Sequence, residues 1–423
     1  MNHSHNERKN FIAIFLHPEQ SGYNASLPLA LGLKERGHRV AFIGYHKYED
    51  FVRNHGFEYI KLLDRETYER LVKQPGPRSI WKMNGHMKEK VDQWLETETP
   101  DLALVDQFAW EQAGPFLRRN IPILPVNTCL AGFYNPAVPP VFSPLQPNGD
   151  NQRPNRFKNA LAWGKIRLFH KILAKINKKA TTPFVEDIEN NGAELGWGEY
   201  GRRLSMPELV LCPRELDFPI TAQTFSQRTY AGACVHTATN GNPFDWKGID
   251  PSQKIVYCSV GSHPRFAVHR RKLFMSAIEA LKDRKDVHLI LQTANAGDLE
   301  ALGTLPANVS VHEWVPQIEV LSKASLFITH GGLSSVREAV FHGVPMLVFP
   351  WGVDQPGNGA RVAYHNLGRV GTAAKITPAA MKAMIDDTLE NESVRAAVDN
   401  MKTVFESQRD CSAGIETVEQ MLS

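Results

Sequence analysis

"EWVPQIEVLSKASLFITHGGLSSVREAVFHGVPMLVFPWGVDQPGN", residues 313–358, contains the turn on which the fold reading depends. Within it "SLFIT" (325–329) is a short apolar run with polar neighbours, the pattern of a strand buried on both faces. It delivers His330, Gly331 and Gly332 onto the N-terminus of a helix, "LSSVREAV". Such a turn gathers free N–H groups and the positive end of a helix dipole at one point, and its glycines let the backbone approach a ligand closely. The group it attracts is an anion, phosphate first of all.

Working outward, strand and helix patterns alternate on both sides of this turn. Upstream lie "KIVYCSVGS" (254–262), "KLFMSAIEALKD" (272–283), "VHLILQT" (287–293) and "VSVHEWV" (309–315); downstream is "VPMLVFP" (344–350). The same alternation opens the chain, with "FIAIFL" (11–16), a helical stretch "LPLALGLKERGH" (27–38) and "RVAFIGY" (39–45). It continues through "PDLALVDQF" (100–108) and "IPILPVN" (121–127). Alternating β and α segments imply parallel sheets. At 423 residues the chain is too long for one ordinary core, and two α/β domains of roughly 200 residues each are expected. The polar, Gly/Pro/Asn-rich stretch 236–251, "HTATNGNPFDWKGIDP", reads as the linker between them. The expected organisation is a first Rossmann-like domain at 1–235, the linker, a second at 252–404, and a terminal segment at 405–423. Residues 128–225 are less regular.

A net charge of +3 excludes a protein whose main partner is nucleic acid. Cys129, Cys212, Cys234, Cys258 and Cys411 are widely spaced, form no C-x-x-C pair, and read as small core residues in a reducing compartment. The polar start "MNHSHNERKN" has no signal-peptide core, and no run of about eighteen apolar residues occurs, so a cytoplasmic protein is expected.

The stretch 313–358 resembles the donor signature of the family 1 UDP-dependent glycosyltransferases: W-x-P-Q, then T-H-G-G, E-x-x-x-x-G-V-P and D-Q. "LVDQ", "PRELDFP" (213–219) and "DQPGNGARVAYHNLG" (354–368) are closest to the bacterial zeaxanthin and macrolide glucosyltransferases. The resemblance implies a GT-B fold, two Rossmann-like domains facing across a cleft, with the last helix crossing back to the first domain. It also implies a role for each matching residue. Trp314 stacks on the uracil, with Gln317 beside base and ribose; His330 and the Gly331 and Gly332 amides meet the diphosphate. Ser335 and Ser262 add phosphate contacts, Glu338 binds the ribose, and Asp354 and Gln355 grip the sugar. One departure is Ser334, where the family commonly has asparagine. No D-x-D pair stands where a diphosphate-bound metal needs it, so the expectation is metal-independent chemistry, with no cofactor beyond the UDP-sugar co-substrate.

Inverting transfer requires a base for the acceptor hydroxyl. In the family this is a histidine at the start of the first helix, oriented by an aspartate. Asp106 matches the aspartate, but the histidine column falls on Gly22, or on Tyr23 if the loop differs by one residue. His17 and Glu19 lie nearby and are the favoured substitutes. Tyr23 is a poor base because its ordinary pKa is about 10. Direct action by Asp106, an acidic acceptor, and loss of activity are the other readings.

On the acceptor side, Phe133, Tyr134, Val138, Val141 and Phe142 suggest an apolar wall suited to a small apolar or aromatic acceptor. Residues 156–179 carry eight Lys or Arg and no acid, interleaved with apolar residues. This pattern fits either a solvated face or peripheral contact with an anionic membrane. The expected function is transfer of a hexose, glucose foremost, from a UDP-sugar to a hydroxyl of a natural product. The alternative is a non-catalytic homologue that binds UDP-sugar or a partner enzyme and has lost turnover with the histidine.

Overall fold

The structure, a computed structural model, describes residues 9–72, 77–147, 155–225, 227–238, 243–261, 267–293 and 304–423. Five strands come first: β1 (Phe11–Phe15), β2 (Arg39–Tyr45), β3 (Glu58–Leu63), β4 (Leu102–Asp106) and β5 (Ile123–Asn127). An antiparallel hairpin of β6 (Leu195–Gly198) and β7 (Gly201–Leu204) follows, then β8 (Glu208–Val210) and β9 (Arg228–Tyr230). The first sheet has the order β3-β2-β1-β4-β5-β8-β9 and is parallel throughout. The second is built from β10 (Lys254–Ser259), β11 (Val287–Gln292), β12 (Val309–His312), β13 (Ala324–Thr329), β14 (Met346–Val348) and β15 (Gly368–Val370). Its order is β12-β11-β10-β13-β14-β15, also parallel. These are the two Rossmann-like sheets of a GT-B fold.

Strands β1, β4 and β5 are buried along their whole length, which is why they read as continuous apolar runs. In each sheet the order reverses beside the first strand, and ligands gather at such a switch point. Register sets the strand ends level there: Phe15 pairs with Val105, and Ser259 with Thr329. His17 and Asp106 therefore emerge together from the first sheet, and Gly261 and His330 from the second.

Several contacts lock the domains together. The Gly357 amide donates to the Val141 carbonyl at 2.8 Å, so close that a Cβ on Gly357 would meet that oxygen. Arg361 forms a fully buried ion pair with Asp217 at 2.6 Å, and Arg337 donates to the Leu211 carbonyl at 2.5 Å. The final helix, Ser412–Leu422, packs on the first helix, Gln20–Glu35: Ile415 fills the space beside Gly32, and Arg36 pairs with Glu419 at 3.0 Å. The linker is docked on the second domain, with Trp246 Nε1 donating to Glu319 at 2.8 Å. All five cysteines are buried free thiols.

The loop after β5 departs from the expected acceptor wall. It runs under the β6/β7 hairpin, where the Tyr134 amide donates to the Trp197 carbonyl at 3.0 Å and Phe133 bridges Gly198. Val138 and Val141 are consequently core residues, and of the five only Phe142 lines an open cavity.

Candidate active site

At the C-terminal end of β13 the turn takes the form that a phosphate cradle needs. Gly331 has φ +83°, and a Cβ there would stand 2.5 Å from Val348 Cγ1, so only glycine fits. The helix Leu333–Phe341 begins at Gly332 with no side-chain cap, leaving its first amides open to a ligand. The His330 ring lies between two glycines: Cβ atoms on Gly332 and Gly261 would fall 2.8 and 3.3 Å from its Nε2. Burial lowers the His330 pKa to about 4, so the imidazole is neutral at pH 7, and its buried Nδ1 has no hydrogen-bond partner within the protein.

The N-terminus of the first helix faces this turn across the cleft. Ser334 Oγ donates to the Ser21 carbonyl at 3.3 Å and accepts from Arg337 at 3.0 Å. The residue that departs from the family pattern thus ties the two helix starts together. Two helix N-termini thus lie side by side, each with its positive dipole end, an arrangement suited to a diphosphate. Ser335 is half-buried on the same helix turn.

Beside it lies a cleft of about 550 Å³ to which both domains contribute. Trp314, 61% exposed, presents an open ring face at its edge, with Gln317 and Glu338 on the same wall. Gln317 is held from both ends: its Nε2 donates to Glu338 at 2.5 Å and its Oε1 accepts from the Tyr257 hydroxyl at 3.2 Å. Burial raises the Glu338 pKa. Asp354 and Gln355 open the helix Gln355–Tyr364. Asn358 Nδ2 donates both to Asp354 Oδ2 and to the Gly331 carbonyl, each at 2.9 Å, coupling the carboxylate to the turn. Gln355 Oε1 accepts from the Trp351 amide at 2.8 Å, so its NH₂ group is the end left for a ligand. Ser262 lies outside the described residues. Among those described, no group of three or more His, Cys, Asp or Glu side chains is placed to hold a metal ion.

In the first domain, Asp106 is buried at the end of β4. Its Oδ1 accepts from the Phe108 amide at 2.9 Å, while Oδ2 has only long contacts: the His17 amide at 3.3 Å and Thr128 Oγ1 at 3.5 Å. Burial raises its pKa to about 7, against those hydrogen bonds. A Cβ built on Gly22 would stand 3.8 Å from Oδ2, so the vacant histidine column is Gly22. Tyr23 points the other way, into the core, stacked on Tyr48 with ring centroids 4.2 Å apart. His17 meets Asp106 through its backbone; its ring packs edge-on against Phe108, and burial lowers its pKa to about 4. Glu19 is exposed at the helix start.

Next to Phe108 opens a cavity of about 890 Å³, walled by Trp81, Trp110, Phe142, Phe169, Leu173 and Trp197. Glu111 on its lining has a pKa raised to about 7 by burial and an Oε2 without a partner. Tyr200 also lines the cavity, edge-on to both Phe108 and Phe142, and the Asp354 carboxylate helps burial push its hydroxyl pKa up. The cavity thus adjoins the sugar-binding candidates. Sequence reading missed these residues: Glu111 and Tyr200 stand singly, in no motif, and Asn358 alone had a signal, its i+4 spacing from Asp354.

Two Rossmann-like sheets, a glycine turn at the end of β13 and a cleft lined from both domains define a GT-B fold. A solved glycosyltransferase of kitacinnamycin superposes with TM-score 0.76 and 22% identity, over 98% of this chain and all of that one. The family model of the erythromycin biosynthesis protein CIII-like C-terminal domain matches residues 279–419. Demethyllactenocin mycarosyltransferase of Streptomyces fradiae is 24% identical over 421 residues, 97% of this chain and 86% of its own length. The UDP-glucosyltransferase YdhE of Bacillus subtilis is 27% identical over 170 residues, 40% of this chain; there the chain spans less than half the relative's length, 42%. The chain is thus similar over nearly its whole length to a glycosyltransferase of natural-product type, and it shares the GT-B fold of the solved ones.

Proposed function

We propose that the protein transfers a hexose, glucose foremost, from UDP to a hydroxyl of a small apolar or aromatic natural product, with inversion and without a metal. The observation that carries this reading is the pair of helix N-termini converging beside His330, with Asp354 and the apolar cavity on the acceptor side. Trp314 stacks on the base, Gln317 and Glu338 bind the nucleoside, and His330, Gly331, Gly332 and Ser335 bind the diphosphate. A neutral His330 acts there as a hydrogen-bond donor, and the backbone amides and dipoles take up the charge on departing UDP. Ser262 is retained as a further phosphate contact on the motif alone. Asp354 and Gln355 hold the sugar.

Of the readings for the missing base, direct action by Asp106 fits best. Its pKa near 7 suits a base working at neutral pH, whereas His17 is too weakly basic and Glu19 too exposed. Oδ2 is weakly engaged, and Gly22 beside it carries no side chain to compete for it. The oxygen attacks the anomeric carbon as its proton passes to Asp106, and UDP leaves from the opposite face.

Release of UDP from UDP-glucose and of dTDP from dTDP-glucose, measured across phenols, carotenoid alcohols, macrolides and carboxylic acids, tests the reading. Acceptor-dependent release, with the anomeric configuration inverted in the product, is expected. Tight UDP binding without turnover on any acceptor favours the non-catalytic alternative. Loss of turnover in His17→Ala or Glu19→Ala, but not in Asp106→Asn, would move the base away from Asp106.

A further inference from the structure

The helix Arg156–Asn190 is 35 residues long and two-faced in an unusual way. Its inner face carries Asn159, Trp163 and His170, which are buried, followed by Leu173 and Asn177 on the cavity wall. Residues two positions away lie about 200° round a helix. That opposite face presents Phe157, Leu161, Leu168, Ile172 and Ile176, between 52% and 82% exposed. Scattered apolar residues on a surface need no explanation, but five aligned on one face of one helix do.

The charges around the stripe select its occupant. Arg156, Lys158, Lys165, Arg167, Lys171, Lys175, Lys178 and Lys179 interleave with and flank it, and the same stretch contains no acid. Two copies packed face to face on this surface would oppose like charges, so a second copy is disfavoured. No described helix is long and apolar enough to cross a membrane. An apolar stripe within a basic field is the surface that lies in a lipid interface, its side chains among the acyl chains and its lysines at anionic headgroups.

We infer that the outer face of helix Arg156–Asn190 docks on an anionic lipid surface and brings the acceptor cavity, walled by the inner face of the same helix, next to the bilayer. The acceptor class that follows is one dissolved in lipid. This last step rests on the proposed transferase function; the docking itself does not.

Flotation of the full chain with phosphatidylcholine vesicles, with and without a third of phosphatidylglycerol, tests the docking without nucleotide or acceptor. The protein is expected to float with the anionic vesicles, to stay behind with the neutral ones, and to be released by raised salt. The triple variant Leu161→Glu, Leu168→Glu, Ile172→Glu is expected to lower the bound fraction at least about tenfold. UDP binding, unchanged in that variant, reports that it folds. Absence of flotation with anionic vesicles, or undiminished flotation of the triple variant, overturns the inference. So does a dimer in solution that the same substitutions dissociate, since the face then belongs to a second copy. Flotation without glycosyl transfer to any acceptor would sink the transferase reading alone.

Discussion

Replacing Asp106 by asparagine is expected to lower activity while raising stability at alkaline pH. The carboxyl is moved by burial from 3.8 to about 7, a penalty on the charged form of about 4 kcal/mol. Between pH 4 and 7 the folded protein keeps a proton that the unfolded chain has released, so stability falls as pH rises across that window and the penalty is complete above it. Asparagine carries no charge at any pH. It keeps an oxygen for the Phe108 amide but places an NH₂ where Oδ2 accepts from the His17 amide at 3.3 Å, a loss of about 1 kcal/mol. Asp106→Asn is therefore expected to be about 1 kcal/mol less stable than wild type at pH 4 and about 3 kcal/mol more stable at pH 8. Urea denaturation at the two pH values measures this. In parallel, UDP release should fall by about 10²- to 10⁴-fold with UDP-glucose affinity unchanged, the range a general base contributes. A stability difference that does not change with pH would refute the buried-carboxylate account, and wild-type turnover in the variant would refute the catalytic one.

Trp314→Ala removes an exposed ring, so thermal stability should hold while UDP affinity by calorimetry weakens by about 1–3 kcal/mol, the worth of one base–aromatic stack. Equal affinity would place the base elsewhere. Arg361→Leu strips Asp217 of its closest cation and leaves it the Tyr230 hydroxyl and the Phe218 amide, each at 2.8 Å, and Arg228 at 3.8 Å. The expected cost is about 3 kcal/mol of stability, since a buried charge loses its mate; a cost below about 1 kcal/mol would show that the charge is otherwise compensated. Glu111→Gln should resemble Asp106→Asn in stability, gaining on wild type as pH rises from about 4 to 7, because burial holds that carboxyl near 7 as well. Its turnover should change for some acceptors and not others, and a uniform loss across the acceptor panel would point to a base rather than a specificity contact.

Apolar runs on short strands and a glycine turn after β13 were enough to place two parallel-sheet domains, because strands buried on both faces must be apolar along their whole length. The T-H-G-G motif marked the turn after β13 for the same kind of reason: positive φ and a 2.5 Å approach to Val348 admit only glycine. β8, β9 and β15 have three residues each, too few for a period to show, whereas β14, equally short, sits inside the apolar run 344–350. Which residue substitutes for the absent histidine could not be read from spacing. His17, Glu19, Tyr23 and Asp106 are all close to Gly22 in sequence or in family pattern. Burial, the direction of the Tyr23 ring and the approach of Gly22 to Asp106 Oδ2 are products of packing between β1, β4 and the first helix. The acceptor wall was misread from Phe133 to Val141 for a related cause. An apolar loop can face a ligand or its own core with the same composition, and only the hairpin laid over it decides which.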